Sequence, residues 1–212
     1  MKTIDLTHTI SPNMPVFPGT EPPEFASACT IDGVGFLEKK IGIYSHTGTH
    51  IDAPAHILHG AKTLDQLSTD HFIGTACSLD LRDITKAIID ISDLEPYRSH
   101  IEESEFILLH TGWSRFWGAD KYFFGYPVLS SEAATWLSTF GLKGVGFDMI
   151  SADEVESADF TIHKIFLKRD IVIIENLNNL NLLPESVFLF SCFPLKIEDA
   201  DGSPVRAVAI NT

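Results

Sequence analysis

Cysteine is scarce in this chain. The three that occur, Cys29, Cys77 and Cys192, stand far apart and form no C-x-x-C pair. An odd, sparse set argues against a disulfide framework, and a reducing cytoplasm is the expected compartment. Basic residues are also few, 15 Lys and Arg against 29 Asp and Glu, for a formal charge of −14. Phosphate binding needs a basic face, so neither nucleic acid nor an anionic membrane is an expected partner. The opening stretch MKTIDLTHTISP has no continuous apolar region of the secretory kind. No run approaches the roughly 18 to 20 apolar residues of a membrane span. G-x-G-x-x-G and P-loop patterns are missing, so no nucleotide cofactor is expected. The G-x-S-x-G elbow is missing too, which leaves Ser45 without the context of a triad serine.

What is present is enough apolar material for one sizeable core, 44% of 212 residues. No linker divides it, so residues 1–212 are expected to form a single domain. Segment 12–23, PNMPVFPGTEPP, holds five prolines and should be an extended loop. KKIGIYS (39–45) and TACSLDL (75–81) pattern as strands. ISDLEPYRSHI should begin a helix with a serine or aspartate cap. From residue 105 the alternation is clearer. EFILLHT, KGVGFD and IVIIENL are apolar runs of strand length. SSEAATWLSTFG has a serine cap and closes at Gly141. ADFTIHKIFLKRD should be a helix capped by Asp159, with Phe160, Ile162, His163, Phe166 and Leu167 on its inward stripe. SVFLFSCFPLKI and PVRAVAI are the last strands. This order predicts an α/β fold with a mixed central sheet flanked by helices.

The densest chemistry lies in residues 46–56, HTGTHIDAPAH. Its glycine, threonines and proline disfavour a helix. An extended segment is expected instead, with His46, Gly48, His50 and Asp52 projecting to one side. Ile41, Ile43, Ser45, Thr47, Thr49 and Ile51 would then line a core face. Pro54 should end the pairing and turn His56 back toward the same place. Imidazole and carboxylate are ligands for zinc, manganese or iron. On this pattern His46, His50 and Asp52 are candidate ligands. His56 is either a fourth ligand or a free acid/base group. Leaving several such groups buried without partners would cost about 1 to 3 kcal/mol each.

The segment HTGTHIDAPAH matches H-x-G-T-H-x-D-x-P-x-H, and the chain resembles the cyclase family of metal-dependent hydrolases on it. That family includes bacterial kynurenine formamidase and isatin hydrolase. The resemblance runs from IDLTHTISPNMPVFPG through HTGW to GFDMISADEVESADFTIHKIFLKRDIVIIENL. It implies a swivelling β/β/α-like fold and a site with two divalent ions, zinc first, with manganese or iron as alternatives. His46, His50 and Asp52 would hold one ion. Asp52 would bridge to a second, also held by His163, and Glu175 would bridge both. His56 would be the proton donor and acceptor. A small-molecule amide or lactam would be the substrate, cleaved by a metal-activated water, with formamide hydrolysis in tryptophan breakdown as the leading reaction. A homodimer or homotetramer is also implied. Kynurenine formamidases carry a substrate-stacking tryptophan in the proline-rich loop, and Phe17 stands at the matching position here. Phenylalanine keeps the apolar wall and loses the indole N–H.

Other readings follow from the residues themselves. Glu175 ends an apolar strand run, where a carboxylate must be paired or bound to a metal. His163 could instead be a helix-surface residue, with Glu175 paired to Lys168 or Arg169. Cyclic-amide hydrolysis of the isatin type is the rival within the class, and a non-catalytic metal-binding module is the rival outside it. The aromatic stretch 111–127 is expected to pack on the core or on another subunit rather than touch substrate. His8, His59, His71, His100 and His110 are taken as structural or surface residues, with His110 the nearest to a pocket. Asp148, at a strand end, is either near a ligand or a turn and capping residue.

Overall fold

Four parallel strands make the middle of the molecule: Ile73–Asp80, Phe106–His110, Gly144–Phe147 and Val172–Glu175. The last three are apolar runs buried on both faces, whereas Ile73–Asp80 alternates between buried and exposed positions. The computed structural model describes residues 2–211. The full order of its main sheet is Lys2–Asp5, Val208–Asn211, Phe188–Ser191, the four parallel strands in the order given, then His50–Asp52 and Gly202–Pro204. The outer strands pair antiparallel, so the sheet is mixed and the fold is α/β in one domain. Isolated bridges between Thr7 and Leu177 and between Pro194 and Val205 stitch the curled sheet back on itself.

Alternation along the strands separates two cores. Ile107, Leu109, Val145, Phe147 and Ile173 face the short helices Ser131–Leu137 and Thr161–Leu167 and pack on Ala133, Leu137, Ile162 and Phe166. Phe106, Leu108, Val172 and Ile174 face the inside of the curl, where they meet Ile51, Phe188, Phe190 and Ala209. The inner face is crowded. A Cβ on Gly146 would lie 2.6 Å from side-chain carbons of both Leu108 and Leu177. Among the described residues no helix is long and apolar enough to cross a membrane.

Most of the expected elements are found, with two corrections. The strand before the histidine motif stops at Gly42, in a hairpin of Glu24–Cys29 with Glu38–Gly42. Ile41 and Ile43 line no core and are 55% and 38% exposed. The extended segment through 46–52 is broken as well. Gly48 adopts φ +68°, a left-handed conformation open to glycine, and regular pairing begins only at His50. Thr47, Thr49 and Ile51 are buried as expected. The second correction concerns helix Thr161–Leu167. Its first N–H groups, those of Ile162 and His163, donate to the carboxylate of Asp153 at 2.9 and 3.0 Å, and Asp159 is not the cap. Ile162, His163, Phe166 and Leu167 do form its buried stripe.

The crowding around Gly146 makes a stability prediction. Gly146→Ala should cost about 1 to 3 kcal/mol through overpacking. Urea denaturation should show a lower midpoint with an unchanged slope.

Candidate metal centre

Strand register assembles the site. His50–Asp52 lies antiparallel to Val172–Glu175, with His50 opposite Glu175 and Ile51 opposite Ile174. Directly opposed residues share a sheet face. Ile51 and Ile174 therefore enter the inner core, while His50, Asp52 and Glu175 project to the helix-covered side. There His163, on the buried stripe of Thr161–Leu167, meets them. His46 arrives by the reversal at Gly48. His56 arrives on the short turn Pro54–His56, whose first position is proline.

The six side chains converge. His46 Nδ1 lies 2.7 Å from Asp52 Oδ1, and His50 Nε2 lies 3.3 Å from the same oxygen. His50 Nε2 is 3.4 Å from Glu175 Oε2, and His163 Nε2 is 3.3 Å from Glu175 Oε1. The ligand atoms of His46, His50 and Asp52 all fall within 4.8 Å of one another, as do those of Asp52, His163 and Glu175. The ring of His56 sits 4.0 Å from that of His46, centroid to centroid. His163 is thus a buried member of the cluster, and neither it nor Glu175 turns outward to the surface cations Lys168 and Arg169.

Outer partners fix the rings. The His163 Nδ1–H donates to Asp153 at 2.6 Å, and the His50 Nδ1–H donates to the Gly48 carbonyl at 2.8 Å. Both rings therefore turn Nε2 toward the carboxylates. Such tethering of the remote nitrogen is the usual support of a metal-ligating histidine. Asn176 adds its Nδ2–H to the same Gly48 carbonyl at 2.9 Å, and its Oδ1 accepts from the Tyr122 hydroxyl at 2.7 Å. One Glu175 oxygen accepts the Ala152 N–H at 2.7 Å. Asp52 Oδ2, by contrast, is buried with no hydrogen-bond partner, although His163 Nε2 lies 3.6 Å away. A lone buried carboxylate oxygen is costly, and a divalent cation would satisfy it. Three imidazoles and two carboxylates are a donor set that suits such a cation.

The electrostatics agree. Burial opposes the charged form of every group here. For His50 the two carboxylates outweigh burial and raise the imidazole to about 10. Against burial, Asp153, Asp52 and Glu175 raise His163 well above its usual range, and Asp52 and Asp201 raise His46. Asp52 is held well below the carboxylate range, and Glu175 is held below it, because the histidine partners overcome burial. His56 goes the other way, since burial dominates and keeps it more readily neutral.

Three residues of the site escape a reading of the sequence. Asp153 follows no local pattern, because it caps a helix eight residues downstream. Asn176 adjoins Glu175 but carries no motif. Asp201 stands 145 residues beyond His56, and its Oδ2 lies 3.0 Å from His46 Nε2. The cavity over the cluster, about 220 Å³, is lined by Phe17, Thr20, Ile150, Ser151 and Phe160 beside the histidines. The aromatic stretch packs elsewhere: Tyr122 and Tyr126 are buried, and Trp117 stacks on His8 at 3.9 Å. Asp148 is wholly buried and accepts the backbone N–H groups of Thr111 and Trp113, so it ties down that loop. His110 is buried at its strand end near Asp80 and Arg82, away from the cavity.

A pH dependence follows for the cation-free protein. A histidine raised from 6.5 to about 10 stabilises the fold fully below 6.5 and loses that contribution as pH rises through 10. Chelator-treated protein should therefore lose thermal stability across this window. Restoring zinc should flatten the loss, because the cation replaces the protons. Equal slopes with and without zinc would contradict it.

The family model described as "Putative cyclase" matches residues 4–154. A kynurenine formamidase of Erythrobacter litoralis is 31% identical over 205 residues, spanning 96% of this chain and 91% of that protein. An isatin hydrolase bound to the product analogue thioisatinate superposes with a TM-score of 0.88 at 21% identity, covering 98% of this chain and 91% of the other. A potential metal-dependent hydrolase with cyclase activity gives 0.82 at 27% identity, covering 98% and 96%. With more than half of its length matched by the family model and nearly all of it aligned to a relative above 30% identity, the chain belongs to the cyclase family.

Proposed function

We propose that this chain is a metal-dependent hydrolase of a small amide, with an N-formyl arylamine of the formylkynurenine type as substrate. The observation that carries the reading is the convergence of His46, His50, Asp52, His163 and Glu175 around an unsatisfied Asp52 oxygen, with His56 beside them. The kynurenine formamidase relative, aligned over nearly the whole chain, supports the bond type.

In this reading His46, His50 and Asp52 hold one divalent cation, Asp52, His163 and Glu175 hold a second, and zinc is the first choice of metal. Bound there, the cations supply a water acidic enough to react at neutral pH and an electrophilic contact for the substrate carbonyl. The chain's own residues do the rest. Asp52 and Glu175 set the charge and spacing of the centre. His56, which lies with His46 and Asp201 in a third such group outside these two and which burial makes more readily neutral, takes a proton from the attacking water and returns it to the departing amine. Phe17 forms an apolar wall of the cavity against which an aryl ring can lie. A homo-oligomer belongs to the same reading. The hairpin arm around 24–42 exposes Ile31, Phe36, Leu37 and Ile41, a patch that another subunit would cover.

Phe17 also favours one second reading, a cyclic amide of the isatin type. A phenyl wall offers no indole N–H to an open-chain substrate, and an isatin hydrolase shares the fold.

Hydrolysis of formylkynurenine and of isatin by the zinc-loaded protein, with and without a chelator, separates the readings. Chelator-sensitive loss of the formyl group is expected. Absence of turnover on any formamide or lactam would leave a metal-binding module. His56→Ala should lower kcat about 10²- to 10⁴-fold while bound metal, read by elemental analysis, stays unchanged. Metal lost on that substitution would make His56 a ligand.

A further inference from the structure

Asp201 contributes to the centre from the far end of the chain. Strand Gly202–Pro204 pairs with His50–Asp52 so that Gly202 opposes Asp52, and the Asp201 carbonyl accepts the Ala53 N–H at 2.8 Å. The backbone at 201 is thereby pinned beside the motif. A Cβ at Gly202 would come within 2.5 Å of the His46 ring, so the bare backbone lies against that ring. From there one carboxylate oxygen reaches two histidines: Asp201 Oδ2 is 3.0 Å from His46 Nε2 and 3.5 Å from His56 Nδ1.

We propose that Asp201 is a positioning residue that orients His46 and His56 together. The chemistry is that of a carboxylate behind an imidazole. His46 turns Nδ1 toward Asp52, so its remote Nε2–H is free to donate to Asp201. His56 presents Nδ1 to the same oxygen. A proton held on Nδ1 leaves Nε2 with the lone pair, which is the tautomer a general base needs. The distance of 3.5 Å is long for a hydrogen bond, and catalytic contacts of this kind shorten when a site fills. One group thus sets both a candidate metal ligand and the candidate proton carrier. Its side chain is 46% exposed, so its removal should leave the core intact. The role in turnover rests on the hydrolase reading above, whereas the tautomer does not.

The test uses the full chain loaded with zinc. Long-range 1H–15N correlation NMR at mildly alkaline pH should show His56 protonated on Nδ1 in the wild type. Asp201→Ala should shift it to Nε2–H or to a mixture, and Asp201→Glu should restore the wild-type form in part. At saturating zinc, kcat of Asp201→Ala and Asp201→Asn should fall about 10- to 100-fold, with KM changed less than about threefold. An unchanged tautomer in Asp201→Ala would overturn the proposal. So would a full rate, or loss of one equivalent of zinc, which would make Asp201 a ligand. If the wild type hydrolyses no amide, the hydrolase reading fails and the tautomer still decides the role of Asp201.

Discussion

Two carboxylates buried side by side are the constraint on which this molecule is built. Asp52 and Glu175 repel each other, and each has been taken out of water. Such a pair persists only if positive charge is held between them. Three imidazoles stand around them, and in the cation-free protein those imidazoles are driven toward the protonated form. Protons are a partial answer, because Asp52 Oδ2 still has no hydrogen bond, with His163 Nε2 at 3.6 Å. A divalent cation answers both the charge and the orphaned oxygen. The same demand explains why the remote nitrogens of His50 and His163 are tied to acceptors. With Nδ1 committed, each ring can only offer its other nitrogen to the centre.

The fold meets this constraint by register rather than by a long rigid element. Three residues, His50–Asp52, carry two of the charged or ligating groups, and their pairing with Val172–Glu175 brings in a third. Ile51 between them is buried in the inner core, so a one-residue slip would exchange apolar for ionisable side chains across the sheet. The apolar residue thus locks the polar ones. Gly48 then lets the chain fold back so that His46 joins from outside the strand.

Much of this was legible in the sequence, for physical reasons that differ from part to part. Three of the four parallel strands announced themselves as apolar runs, because a strand covered on both faces has no solvent side to mark, and the fourth, Ile73–Asp80, by its alternation. His46, His50, Asp52 and His56 were legible because four chemically related groups fell within one short segment. Its conformation was not. An alternating pattern through Gly48 looks extended, and only the left-handed turn there shows that His46 reaches the site by reversal. His163 and Glu175 drew their reading from the family resemblance. Asp153, Asn176 and Asp201 had no local signal. Each acts through a partner distant in sequence, and that adjacency exists only after the sheet has formed. The exposed Ile41 and Ile43 misled for a related reason, since an apolar strand pattern does not say which surface will cover it.

The interleaving of strands also ties the chemistry to completion of the fold. His50–Asp52 lies between Val172–Glu175 and Gly202–Pro204, strands that come more than a hundred residues later. The matched family segment, residues 4–154, ends before His163, Glu175 and Asp201. No short segment holds the whole donor set, so the cluster of buried charge forms only when the early strand inserts between two late ones. Such contacts are slow to form, because the loop-closure entropy is lost before the contact returns any energy. Until then Asp52 and Glu175 remain hydrated and apart, which spares a half-folded chain the cost of burying them. Repulsion and its relief by a cation are thereby confined to the native sheet, where the imidazoles already face inward.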